Sequence, residues 1–337
     1  MAARSIIIGT LTFLLVAAAA PALPQWLVSL ATVAFANALV VLGLVILWRA
    51  GLVPFGQALY YAIGAYTVAL IGRYSEMRDV FLMIAAAAVL SGLTAFLTGL
   101  LLARYREIFF AMLSLAMSMI LYSVLVKTET LGSTDGFHVE QPTYLGYAPQ
   151  GNMHLLVLFW LVLACGALSA LLVSFYFRSV AGSLAVPVRD SEIRLEFLGV
   201  SVNRLIHLNL VIAGTLAGIG GALAAFAVEH VDPDMSYWTT SGGFVFVTIL
   251  AGAGSVAAAF VGSFVFELLK SIAYDLLPGT WQMFLGAALL VTILFLPEGI
   301  GSLFVRLRRR PEAKAMGANM GANMGANMDA KSTSVLS

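Results

Sequence analysis

Two ionisable residues inside an apolar run, Glu267 and Lys270, fall three apart, so on a helix they share a face and can neutralise one another. At membrane depth each charge costs about 2.5 to 3.5 kcal/mol on insertion scales. The pair is therefore either a structural ion pair turned into a helix bundle or part of the lining of a solute path. Uncharged polar groups recur in the neighbouring apolar runs: Asn37, Gln57, Thr67, Ser114, Ser118, Asn209 and Thr215. Their common use is hydrogen bonding between helices. Gln57, Tyr66, Ser114 and Gly242 are the candidates for lining a passage.

Missing chemistry narrows the field. The chain contains no G-x-x-x-x-G-K-[ST] phosphate loop, no H-E-x-x-H and no His/Cys cluster, so neither a catalytic constellation nor a metal site is expected. A single cysteine, Cys165, excludes an intrachain disulfide. With no nucleotide pocket of its own, uphill transport would draw on an ion gradient through intramembrane charges or on a separate ATPase gripping one face. The stretch VPVRDSEIRLEFLGVSVNRL, residues 186–205, bears on the second route. It reads as a short amphipathic helix outside the bilayer: Pro187 suits the first turn, Asp190 and Arg194 pair at i,i+4, and Gly199 suits the stop. Val188, Leu195 and Leu198, with Ile193 and Phe197 beside them, give it an apolar ridge. Such a helix rests on lipid headgroups or fits a groove of a partner subunit and transmits its motion.

The elements that must position these residues follow from composition. Of 337 residues, 61% are hydrophobic and 10% charged, against roughly 25% charged in soluble domains, so lipid must serve as the outer solvent. A net charge of +1 gives no sign of a nucleic-acid partner. A hydrocarbon core about 30 Å thick needs roughly 20 apolar residues per helix. On that rule ten spans are predicted: 6–23, 27–48, 51–71, 80–102, 108–126, 153–177, 207–228, 240–256, 258–277 and 280–296. The third and eighth carry Gly51, Pro54 and Gly56, and Gly242, Gly243, Gly252 and Gly254, and either could be broken or re-entrant.

Alternating these spans puts Arg4, Arg49, Arg104, Arg106, Arg178, Arg189, Arg194, Arg204, the cluster Arg306, Arg308, Arg309 and Arg310, and Lys314 and Lys331 on one side. Only Arg73, Arg78 and Lys127 fall on the other, beside Glu129, Asp135, Glu140, Glu229, Asp232 and Asp234. The positive-inside rule then places both termini in the cytoplasm. Residues 1–300 form one all-α polytopic membrane domain. Residues 301–337, with Gly-Ala-Asn-Met repeated three times from Gly317, have no apolar face to bury and are expected to be a disordered tail. Gly214 and Gly218, and Gly254 and Gly262, permit close approach between helices.

Several strings occur in the order in which they stand in LivM-type permeases of bacterial branched-chain amino acid ABC importers. VPFGQALYYAIGAYTVAL keeps Gly56, Gly64, Ala65, Tyr66 and Thr67 of that family's pattern, and FFAMLSLAM at residues 109–117 and Gly132 to Gly136 follow. Arg189, Asp190, Glu192, Ile193, Glu196 and Gly199 then fall in register with the family's inner loop, ahead of AGIGGALAAF, VDPD, AGAGSVAAAFVGS and FLPEGI. The chain resembles this family from about Val53 to Ile300. It departs from it at Ser183, where a basic residue is common, at Pro187, where alanine is, and at Ala251 and Ala258, which replace glycines.

The resemblance implies a non-catalytic subunit of the bacterial inner membrane that binds no cofactor itself. It would pair with a LivH-like second permease, two ABC ATPase subunits that use ATP and Mg²⁺, and a periplasmic substrate-binding protein. Leucine, isoleucine and valine would be carried, with Arg189, Asp190, Glu192, Ile193, Glu196 and Gly199 at the ATPase contact. The alternatives are a permease of the same architecture for other amino acids, amides, urea, sugars or nucleosides, and an ion-coupled secondary transporter. The first span, with Arg4 and the small residues Ala17 to Ala20, also has the pattern of a cleavable leader. The intact mass of the membrane-extracted chain is expected to include residues 1–23; a mass short by that segment would replace ten spans with nine.

Overall fold

The computed structural model describes residue 13 and residues 15–75, 78–149, 151–252, 255–276 and 279–295. Residues 6–12 and 14 of the first expected span, and the tail with its arginine cluster, lie outside the described residues. The chain is a polytopic, almost wholly helical membrane protein. Its long helices are α1 (Gln25–Arg49), α2 (Gln57–Tyr74), α3 (Val80–Leu102), α4 (Glu107–Lys127) and α5 (Asn152–Tyr176). Three short helices follow, α6 (Val180–Ser183), α7 (Ala185–Asp190) and α8 (Glu192–Phe197). Then come α9 (Val202–Val228), α10 (Trp238–Ala251), α11 (Val256–Leu276) and α12 (Trp281–Phe295). A two-residue ribbon, β1 (Phe137–His138) with β2 (His230–Val231), and isolated bridges of Asp79 with Thr143 and of Tyr144 with Tyr147 are the additions to an all-α reading among the described residues.

Six of these helices, α1, α3, α4, α5, α9 and α11, are long and apolar enough to cross a bilayer. Their surroundings differ. In the most apolar window of α1 78% of residues are buried inside the protein, and in α9 67%, whereas α4 buries 22% and α3 28%. The difference marks α1 and α9 as the centre of the bundle and α3 and α4 as outer helices. Helices α1, α2 and α3 all pack on α9, while α5 and α11 pack on α1.

Small residues make the centre possible. A β-carbon at Gly64 would lie 2.0 Å from the carbonyl oxygen of Gly218, and one at Gly221 would lie 1.9 Å from that of Tyr61. Helices α2 and α9 therefore touch backbone to backbone. Gly214 and Gly218, the expected close-approach pair, face α3, where added β-carbons would meet Ala95 and Ser91. Gly262 likewise faces Ala251, one of the positions that depart from the family pattern.

Three sequence expectations need correction. The third span begins at Gln57 and not at residue 51, because Gly51 (φ +78°) and Pro54 hold residues 50–56 in an irregular reversal. The eighth ends at Ala251 and not at residue 256, where Gly252 (φ +76°) stops it; its 14 residues span about 21 Å, short of a bilayer. Finally, the single helix expected over residues 186–205 is broken: Ser191 is extended (φ −167°, ψ 102°) between α7 and α8, and the chain from Val202 already belongs to α9.

Loops gather by charge at two ends. At one end the reversal 50–56, the turn 103–106 and the short helices form a cluster around Leu47, Leu52, Leu102, Phe110, Val188, Leu195 and Ile206. At the other, the loop after α4 pairs through β1 with the segment after α9. Asp79 fixes this acidic end. Its Oδ1 accepts from the amides of Phe81 and Leu82 at 3.0 and 3.4 Å to cap α3, and its Oδ2 accepts from Leu145 at 3.0 Å. Because overpacking a closed helix contact costs about 1–3 kcal/mol or more, Gly64→Ala and Gly221→Ala should each lower the thermal unfolding midpoint in detergent by several degrees. Gly243→Ala, whose added carbon meets nothing within 4 Å, should not.

Candidate functional site

At the basic end, Arg106 organises the short helices. Its Nε donates to Glu192 Oε1 at 2.6 Å and its Nη2 to Asn203 Oδ1 at 2.7 Å. Nη1 donates to the carbonyls of Ala103 and Tyr105 at 2.6 and 2.9 Å. One guanidinium thus ties the turn between α3 and α4 to α8 and to the first turn of α9. With side chains 26% and 34% exposed, the Arg106–Glu192 pair is shielded enough for charge-assisted bonds to count.

The apolar ridge expected for this stretch divides between two faces. Val188 and Leu195 turn inward, 2% and 5% exposed, while Ile193, Phe197 and Leu198 turn outward at 68%, 87% and 78%. Arg189, Asp190, Glu196 and Gly199 are also exposed. The break at Ser191 takes Asp190 and Arg194 off a common helix, so their expected i,i+4 pairing is lost. Gly199 does end a helix: it adopts φ +83°, the amide of Leu198 bonds back to Arg194, and that of Val200 bonds back to Leu195. Beneath α7, a β-carbon at Gly51 would lie 3.1 Å from Arg189 Cγ, so the stem of Arg189 rests on the reversal that opens α2.

Inside the bundle, the ends of the two interrupted helices meet. The amide of Phe55 donates to Ser114 Oγ at 3.1 Å, and that of Ala58 to Ser241 Oγ at 3.0 Å. Gln57, fully buried, donates from Nε2 to the Ala213 carbonyl at 3.0 Å, and its Oε1 has no partner among the described residues. Ser118 donates to the Ser236 carbonyl at 2.7 Å, tying the middle of α4 to the 3₁₀ turn Pro233–Ser236 that leads into α10. Gln57, Ser114 and, through Ser241, Gly242 therefore converge, and a β-carbon at Gly242 would meet nothing within 4 Å. Tyr66 lies apart, edge-to-face with Phe137 near the acidic end, its hydroxyl unpartnered among the described residues.

Glu267 Oε1 and Lys270 Nζ lie 3.1 Å apart on α11, with side chains 13% and 44% exposed. Sequence reasoning named neither Asn203 nor Ser241 nor Ser236 as a site residue, and used Arg106 only as a loop charge. Their partners are distant in the chain, and no local pattern marks them. Arg106→Gln and Glu192→Gln should each speed amide exchange across residues 185–199. The double variant should add little to either, since a shared bond can be lost only once.

The family model described as branched-chain amino acid transport system / permease component matches residues 26–294. The high-affinity branched-chain amino acid transport system permease proteins LivM of Salmonella typhimurium and Escherichia coli are each 25% identical to the chain over 298 residues. Those alignments cover 81% of this chain and 69% of each relative. No solved structure matches significantly. The matched stretch runs from the second residue of α1 to near the end of α12 and so takes in the interrupted helices, the Arg106 clamp and the short-helix cluster. On that match, the chain belongs to the family of branched-chain amino acid transport system permease components.

Proposed function

We propose that this chain is the transmembrane permease subunit of an ATP-driven importer that moves leucine, isoleucine and valine into the cytoplasm across a bacterial inner membrane. Both termini and the short-helix cluster face the cytoplasm. A second permease of LivH type completes the passage, a periplasmic receptor delivers the solute, and two ATPase subunits hydrolyse ATP with Mg²⁺. This chain contributes motion and a path, and no catalysis.

One observation carries the coupling part of this reading. At a polar end of the molecule, where three consecutive short helices have no membrane to fill, Ile193, Phe197 and Leu198 stand exposed on a base held by Arg106. Large apolar side chains on a braced polar surface fit a groove of a partner, and Arg189, Asp190 and Glu196 around them supply charge for orientation. The path itself is assigned to the junction of α2 and α10, beside Gln57, Ser114 and Gly242, where irregular backbone is sheltered by protein. Tyr66 would stand nearer its outer end. The pair Glu267 and Lys270 is assigned a structural role, because each charge already neutralises the other.

Phe197→Asp combined with Leu198→Asp leaves the buried residues and the Arg106 clamp untouched. In membrane vesicles carrying the complete transporter, this variant should insert normally and lose leucine uptake by at least about tenfold, the scale of a contact worth more than 1 kcal/mol. Uptake equal to wild type would refute the coupling assignment. Uptake by the purified chain alone, driven by an ion gradient, would refute the importer.

A further inference from the structure

Three of the four histidines in the chain, His138, His154 and His230, gather at the acidic end, far apart in sequence. Two of them are direct partners. In the antiparallel ribbon Phe137 stands opposite Val231, and His138 opposite His230. Phe137, Val139 and Val231 turn into the bundle at 6%, 3% and 0% exposure. Strand alternation therefore puts both histidines together on the outward face, His138 exposed and His230 half-exposed.

The Val139 amide donates to the Glu229 carbonyl at 2.9 Å, so the histidine pair occupies the slot between hydrogen-bonded pairs. There facing α-carbons are only about 4.5 Å apart and side chains come closest. Just beyond the ribbon, two residues after each histidine, Glu140 is exposed and Asp232 half-exposed, and both add negative charge. One oxygen of each is already occupied: Glu140 Oε2 lies 2.6 Å from Arg78 Nη2, and Asp232 Oδ1 accepts from the Met235 amide at 3.2 Å.

We propose that His138 and His230 form a binding site for a divalent transition-metal ion of the Zn²⁺, Cu²⁺ or Ni²⁺ class. Imidazole is a preferred ligand of all three, and two histidines at directly opposed positions of a ribbon can together make a bidentate nitrogen donor. Among the described residues no three His, Cys, Asp or Glu side chains converge, so water completes the coordination. The bound ion staples the loop after α4 to the segment between α9 and α10, across a ribbon only two residues long on each side. His154 belongs to the opposite side, its Nε2 4.0 Å from Glu229 Oε1, and His207 packs edge-to-face on Phe96. Neither takes part.

The test uses the full chain in detergent without an affinity tag, titrated with Zn²⁺ by calorimetry and with Cu²⁺ by electron paramagnetic resonance. The expected result is one ion per chain, with nitrogen hyperfine splitting from two imidazoles. His138→Gln and His230→Gln should each weaken binding at least about tenfold, since loss of a ligand costs no less than loss of an outer-shell partner. His154→Gln and His207→Gln should bind as wild type. A copper spectrum of the unmodified chain with fewer than two imidazole nitrogens would overturn the site, whatever the variants do. So would undiminished binding in either His138→Gln or His230→Gln. All these results are independent of which solute the permease carries.

Discussion

Hydrocarbon offers a peptide group nothing to bond to, so every amide and carbonyl within the bilayer must find its partner inside the protein. Unbroken helices meet that demand by themselves. The irregular segments 50–56 and 229–237, at the two ends of the bundle, do not, and side chains from other helices complete part of their bonding. Ser114 accepts the Phe55 amide, Ser241 accepts the Ala58 amide, and Ser118 donates to the Ser236 carbonyl. Helices α4 and α10 supply these hydroxyls, and α9 supplies the carbonyl of Ala213 that accepts from Gln57. These bonds in turn need the bare backbone contacts at Gly64 and Gly221, which bring α2 and α9 close enough to shelter the junction.

The same constraint separates the roles of the helices. Dispersion between closely fitted surfaces holds α1, α2, α3 and α9 together, since lipid tails are as apolar as leucine and give no hydrophobic drive inside the membrane. Outside the membrane the physics changes. At the basic end the apolar cluster around Leu47, Phe110 and Ile206 is backed by the guanidinium of Arg106, which links three segments through four hydrogen bonds. At the acidic end Asp79, the ion pair of Arg78 with Glu140 and a two-residue ribbon perform the corresponding joining.

How much of this could be read along the chain depends on the range of the interaction. Helix existence follows from runs of apolar residues, and α1, α3, α4, α5 and α11 begin and end within a few residues of the hydropathy limits. Glycine and proline warned of trouble in the third and eighth spans, and trouble lies there. Gly199 was legible as a stop because its left-handed backbone is a local property. Other features were not legible. Ser191 carries no mark that forces an extended conformation, so the pattern of residues 186–205 reads as one helix when it is three pieces, the last being the start of α9. Arg106 and Glu192 stand 86 positions apart, and His138 and His230 come together only through ribbon register. Gln57 and Ser114 stood out as polar residues in apolar runs. Ser241 and Ser236 looked the same as any other small residue, since what they do is set by the neighbour they complete.

The stem of Arg189 lies against Gly51, at the start of the reversal between α1 and α2. Residues 50–56 are braced at one end by α7 and end at the other on Ser114 and the first turn of α2. Glycine at position 51, already left-handed, has the least steric resistance to further rotation of any residue type. The segment is thus seated at both ends by side chains remote in sequence, so a side chain larger than hydrogen at position 51 would strain the left-handed backbone and press on the seat of α7 together.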